Sequence, residues 1–141
     1  MSQLFPSPSR DLVAGLPVMD RFTELHAALH DFTRRRDWGQ YHDPKSLLLA
    51  LVGEVGEVAE LMQWTREADV RADLSQGDGK AQISDELADV LMYLMLLADA
   101  VDVDLIEATH AKLERNEARF PTSQRQGNAP SHARHPRGIG R

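Results

Sequence analysis

The chain contains no cysteine, so neither a disulfide framework nor a thiolate metal site is available to it. Aromatic residues make up only 6% of it, with two tryptophans, so each ring has to be accounted for individually. Long apolar runs are also missing: the longest, from Val90 to Ala98, falls far short of the ~20 residues that a membrane span needs. No basic region followed by an apolar stretch opens the sequence, so no secretory leader is read there. A cytoplasmic protein without a membrane partner is the expectation.

Positive charge is scarce as well. The net charge is −6, yet residues 121–141 hold four arginines and no acid, which leaves −10 on residues 1–120. Such a surface repels phosphate backbones, which argues against a nucleic-acid polymer as partner unless bound metal reverses the local sign. With 141 residues, 42% of them hydrophobic, the chain is long enough for one domain with a core.

Three prolines without periodicity in residues 1–17 predict a flexible N-terminal segment, and three more among Ser, Gly, His and Arg in 121–141 predict a flexible basic tail. Between them, residues 18–120 read as one helical domain. Apolar periodicity predicts helices at about 18–37, 44–66, 82–101 and 103–119, a four-helix-bundle-like all-α fold with no strand. Asp43-Pro44 signals the start of the second helix, and Ser84-Asp85-Glu86 offers acids to the positive end of the third. Asp102-Val103-Asp104 separates the third from the fourth, and Glu67 to Lys80, with Gly77 and Gly79, reads mainly as a polar loop.

The second helix carries an anomaly. From Leu47 to Met62, sixteen residues include eleven apolar ones and two glycines, and the others are Glu54, Glu57 and Glu60. A helix apolar nearly all round must be covered on most sides, and carboxylates are seldom buried without a partner. Steps of three place these acids on one ridge, about 60° apart, beside Gly53 and Gly56, where another backbone or a ligand could come close. The third helix repeats the anomaly, since Asp89 is the single charge from Leu87 to Ala98 and Glu86 lies three residues before it.

An antiparallel pairing of these helices would bring the acids together. Glu57 lies about nine residues before the loop and Glu86 about five after it, offsets of ~14 and ~8 Å that an uneven connection can absorb. Four packed carboxylates repel unless cations neutralise them. An all-oxygen ligand set favours Mg²⁺, with Mn²⁺ as the substitute, and Mg²⁺ commonly shares its shell with substrate phosphates.

Gly-Glu-Val-Gly-Glu-Val-Ala-Glu at 53–60 and Asp-Glu-Leu-Ala-Asp-Val-Leu-Met-Tyr at 85–93 resemble the E-x-x-E, spacer, E-x-x-D signature of the MazG-like all-α nucleotide pyrophosphohydrolases. The stretch around Arg36-Asp37-Trp38, the run Leu47 to Trp64 and the block Glu86 to Leu105 resemble the dCTP pyrophosphatase branch, and the likeness spans roughly residues 20–120. It implies Glu54, Glu57, Glu86 and Asp89 as Mg²⁺ ligands. It also implies Mg-dependent hydrolysis of a nucleoside triphosphate, dCTP or a modified dCTP foremost, to monophosphate and pyrophosphate. In that branch two tryptophans hold the base, matching Trp38 and Trp64. Tyr93, Lys112 and Asn116 match positions near sugar and phosphates, and His30 lies one residue from the family's pocket histidine. The 28-residue spacer between Glu57 and Glu86 is long for the family and asks for a longer loop.

Read without the resemblance, each tryptophan is better explained by core packing, and Lys112 with Asn116 by an exposed helix face. Glu60 shares the acid ridge but lies outside the signature, where it would orient water or pair with a base. Met62, Met92 and Met95 read as core filling. Two alternatives stand beside the leading reading: a house-cleaning pyrophosphatase for other non-canonical nucleotides, and a non-enzymatic helical oligomer whose acids bind a basic partner. A di-iron centre is disfavoured, because Glu-x-x-His motifs are needed and no histidine lies between His42 and His110. Helices apolar on most sides also predict a homo-oligomer, a dimer or tetramer.

Overall fold

The computed structural model describes residues 18–122 and 127; the tail expectations for 1–17 and most of 121–141 fall outside them. Among the described residues the protein is all-α: α1 (Val18–Arg34), a 3-10 turn (Trp38–Tyr41), α2 (Pro44–Glu60), α3 (Glu67–Asp73), α4 (Gly77–Ala100) and α5 (Leu105–Arg119). It divides into two compact units, Met1–Asp102 and Val103–Arg141, with α5 in the second.

Local chemistry explains most of the boundaries. The Asp43 side chain accepts hydrogen bonds from the Lys45 and Ser46 amides, and Pro44 fills the first helical turn of α2, where its missing N–H costs nothing. The Ser46 hydroxyl adds a bond to the same carboxylate, which holds Asp43 below the usual carboxylate range. Asp104 caps α5 in the same way, accepting from the Ile106 and Glu107 amides at 2.9 Å each. Asp102 just before it adopts φ 54°, in the left-handed region that ends a helix.

Three boundaries differ from the sequence reading. α1 ends at Arg34 instead of running on to about residue 37. The chain reverses at Asp37, with φ 53° and ψ 35°, a left-handed conformation that Asp tolerates better than most residues. Gln40 steadies it by donating to the Asp37 carbonyl at 2.9 Å. α2 stops at Glu60, not near 66, and turns follow it up to Arg66.

The expected loop is largely helical. Glu67–Asp73 forms α3, and α4 begins at Gly77, five residues before the expected start. Ser84, Asp85 and Glu86 therefore lie well inside α4, and Asp78 is the acid in its first turn. Gly77 enters the helix with φ 57°. Gly79 answers to a close approach, because a Cβ there would stand 2.1 Å from the Asp73 carbonyl oxygen. The C-terminus of α3 thus presses on the first turn of α4, and only glycine fits.

The first unit's core contains Leu29 of α1, Leu47 of α2, and Met95, Leu96 and Ala98 of α4. Thr33 is buried among them, its hydroxyl donating to the His30 carbonyl. Met95 fills the core as expected, and Met62 and Met92 are half-buried. α2 and α4 form the main helix pair. Burial of α2 on most sides, expected from its composition, does not occur among the described residues: Leu48, Leu49, Val52 and Val55 are exposed. Open space also surrounds Gly53 and Gly56, so the close approach that they permit is not made by the backbone of the described residues.

Candidate active site

The site follows from the pairing of α2 with α4. Glu54 and Glu57 sit a turn apart on α2, and Glu86 and Asp89 a turn apart on α4. One oxygen from each of Glu54, Glu57 and Glu86 lies within 4.8 Å of the other two. Glu86 interacts most strongly with Glu57 among the acids, whereas Asp89 acts on Glu54 more than Glu86 does. That order, 57 with 86 and 54 with 89, is the pattern of an antiparallel pair. Glu86 comes nine residues into α4 and Glu57 only three before the end of α2, so α4 overshoots its neighbour. The connection through α3 bridges the difference, opposite in sense to the expected one.

The cluster stores repulsion. Burial pushes the Glu54 carboxyl above its ordinary value of 4.5, and the charges of Glu57, Asp89 and Glu86 push it further. Glu86 is raised likewise, first by burial, then by Glu57, Asp89 and Asp85, and by a hydrogen bond with Glu57. Carboxylates this close share protons or take up a cation. Mg²⁺ binds oxygen at about 2.0–2.1 Å, which spaces neighbouring ligands of an octahedron about 3 Å apart, so three oxygens within 4.8 Å of one another are within reach of a single ion.

A pH dependence follows with a definite sign. Both carboxyls are raised, so between their ordinary and folded values the native state holds more protons than the unfolded chain. The stability they contribute is complete below about pH 4.5 and is lost as pH rises through the raised values. Without metal, the melting temperature is expected to fall from mildly acidic to neutral pH, and Mg²⁺ is expected to recover part of the loss. Melting curves with chelator and with Mg²⁺ check this; equal slopes in the two series would contradict it.

The remaining sequence candidates fall in several places. Glu60 is exposed at the end of α2, outside the three-acid cluster. Tyr93, one turn beyond Asp89 on α4, is half-buried. Neither tryptophan is a core residue, contrary to the packing reading. Trp38 is 44% exposed and packs edge-on against Phe32, while Trp64, in the turns after α2, is 89% exposed. The Arg36 guanidinium lies over the Phe32 ring at 3.6 Å and near the Trp38 ring at 5.8 Å. In the second unit Lys112 is exposed on α5 and Asn116 is half-buried.

His30 Nε2 donates to the Asp99 carboxylate at 2.7 Å and lines a cleft of about 760 Å³ with Asp37, Gly39 and His42. His26 reaches the same carboxylate. Sequence reasoning missed His26 and Asp99. The available signal was a histidine pair four residues apart and a lone acid closing the apolar run of α4, but nothing in the sequence joined them.

Residues 50–131 match the model of the MazG-like family. Rat "dCTP pyrophosphatase 1" is 43% identical over 123 residues, covering 87% of this chain and 71% of the relative. The human protein of the same name is 37% identical over 133 residues, covering 94% of this chain and 76% of the relative. Among solved structures, a pyrophosphatase from Archaeoglobus fulgidus DSM 4304 superimposes with a TM-score of 0.65 at 39% identity, covering 71% of this chain and 92% of that one. The matches span most of the chain: it belongs to the MazG-like family of nucleotide pyrophosphohydrolases.

Proposed function

We propose that this chain, a nucleoside triphosphate pyrophosphohydrolase by family, hydrolyses dCTP or a base-modified dCTP to the monophosphate and pyrophosphate with Mg²⁺. The observation that carries the reading is the convergence of Glu54, Glu57 and Glu86, with Asp89 beside them, in a helix pair otherwise poor in charge. The dCTP preference rests on the names of the relatives.

Glu54, Glu57, Glu86 and Asp89 would hold Mg²⁺, which when bound supplies charge neutralisation for the triphosphate and polarises its oxygens. The carboxylate cluster positions a water for attack on the α-phosphorus and takes up its proton. A new oxygen–phosphorus bond forms there as the bond from the α-phosphorus to the bridging oxygen breaks, and pyrophosphate departs. Glu60, on the same ridge, is assigned to orienting that water. Trp38 and Trp64 grip the base, their exposure leaving ring faces available to it. Tyr93 serves the sugar and His30 the pocket edge; Lys112 and Asn116, on α5, are taken as phosphate-binding residues from the family resemblance alone. Residues 18–120 act as the catalytic domain.

The working unit is a homo-oligomer, dimer or tetramer. Exposed Leu48, Leu49, Val52 and Val55 on α2, with Leu87, Leu91 and Leu94 in one stripe on α4, support this, because such apolar surface is normally covered. No helix among the described residues is long and apolar enough to cross a membrane, in keeping with a cytoplasmic site of action. The test is a panel of nucleoside and deoxynucleoside triphosphates with Mg²⁺, read as kcat/KM. dCTP or its 5-substituted forms should lead by at least tenfold; an equal rate for all four bases would overturn the cytosine preference.

A further inference from the structure

A second group of ligands lies away from the acidic cluster. His26 and His30 stand one turn apart on α1, and both direct Nε2 at Asp99 near the end of α4. His26 Nε2 is 2.9 and 3.0 Å from the two Asp99 oxygens, and His30 Nε2 is 2.7 Å from Oδ2. The rings meet edge to face with centroids 4.6 Å apart. Asp31, the other acid on this part of α1, is taken up by Arg34 and Arg35, so Asp99 is the carboxylate that both imidazoles share. Asp99 is ten residues beyond Asp89, about 15 Å along the helix, so the two groups are separate.

We propose that His26, His30 and Asp99 form a Zn²⁺-class transition-metal site that ties α1 to α4, independent of the Mg²⁺ carboxylates. The chemistry of the donors selects the ion: two imidazoles and one carboxylate suit Zn²⁺ or Co²⁺, whereas Mg²⁺ prefers oxygen alone. Zinc binds nitrogen and oxygen at about 2.0–2.2 Å, so tetrahedral ligand atoms lie about 3.3 Å apart. The present separations of 2.7–3.0 Å need to open by only a few tenths of an ångström. All three atoms lie within 4.8 Å of one another, and the cleft beside His30 and Asp99 leaves room for water as fourth ligand. Binding replaces the protons that bridge nitrogen and carboxylate, so acid competes with the ion.

The test is a Co²⁺ and Zn²⁺ titration of the full chain in excess Mg²⁺, read by calorimetry and by the visible absorption of cobalt. His132 and His135 near the C-terminus could also take the ion, so the background is the His132→Gln/His135→Gln variant. One ion per chain is expected there, with cobalt bands of four- or five-coordinate type. His26→Gln and Asp99→Asn should each weaken binding at least tenfold, and Glu54→Gln should leave it unchanged. His26→Gln is the most telling variant, because His26 has no part in the proposed substrate pocket. Absence of the bands in the background protein, or affinity within twofold in His26→Gln, overturns the site. The cobalt spectrum of the background protein keeps the test decisive even if a variant folds poorly.

Discussion

Glu54→Gln is expected to lower the rate of nucleotide hydrolysis by ~10³-fold while leaving the fold intact or more stable. The activity loss follows from the ligand set: a metal contributes several kcal/mol to a phosphoryl-group reaction, and each 1.36 kcal/mol is worth tenfold. Glutamine keeps one oxygen but removes the charge that holds the ion. The stability gain follows from the same crowding that makes the site useful. Glu54 is raised by burial and by three neighbouring acids, so deleting its charge relieves repulsion in the metal-free protein. Activity and stability should therefore move in opposite directions, as at sites kept under strain for function. Far-UV melting curves and a product assay on the same preparation check this. Activity within tenfold of the parent would contradict the ligand assignment.

Trp64→Ala carries the second large effect. Stacking of a base on an aromatic ring is worth ~1–3 kcal/mol, so KM should rise by roughly 5–150-fold with kcat little changed. Because Trp64 is 89% exposed, its removal costs the fold little, and the binding effect can be read cleanly. Trp38 is a less clean probe, since its ring also packs against Phe32 near Arg36. Trp64→Phe should restore part of the affinity, as the ring face survives. Steady-state kinetics with dCTP separate the cases: an unchanged KM in Trp64→Ala would remove this ring from the base clamp.

The acid pairs were legible in the sequence because charge inside an apolar helix needs an explanation, and a spacing of three fixes a shared face. Asp43 was legible for a local reason too, carrying its cap within two or three residues, whereas Asp104 was read only as part of a break and proved to be the cap of α5. The early start of α4 was hidden, because Gly77 and Gly79 look like loop residues. Gly79 is set by the Asp73 carbonyl above it, a contact between elements that no local pattern reveals. The exposure of α2 shows the same limit: an all-round apolar helix foretells burial but not which molecule supplies the cover. His26 and Asp99 stand 73 residues apart, and only the packing of α1 on α4 unites them.

The most direct test of the central claim is ³¹P NMR of dCTP incubated with the chain and Mg²⁺. Equimolar dCMP and pyrophosphate are expected, with no signal in chelator. Release of single phosphate with dCDP, or turnover that persists without divalent metal, would contradict the account.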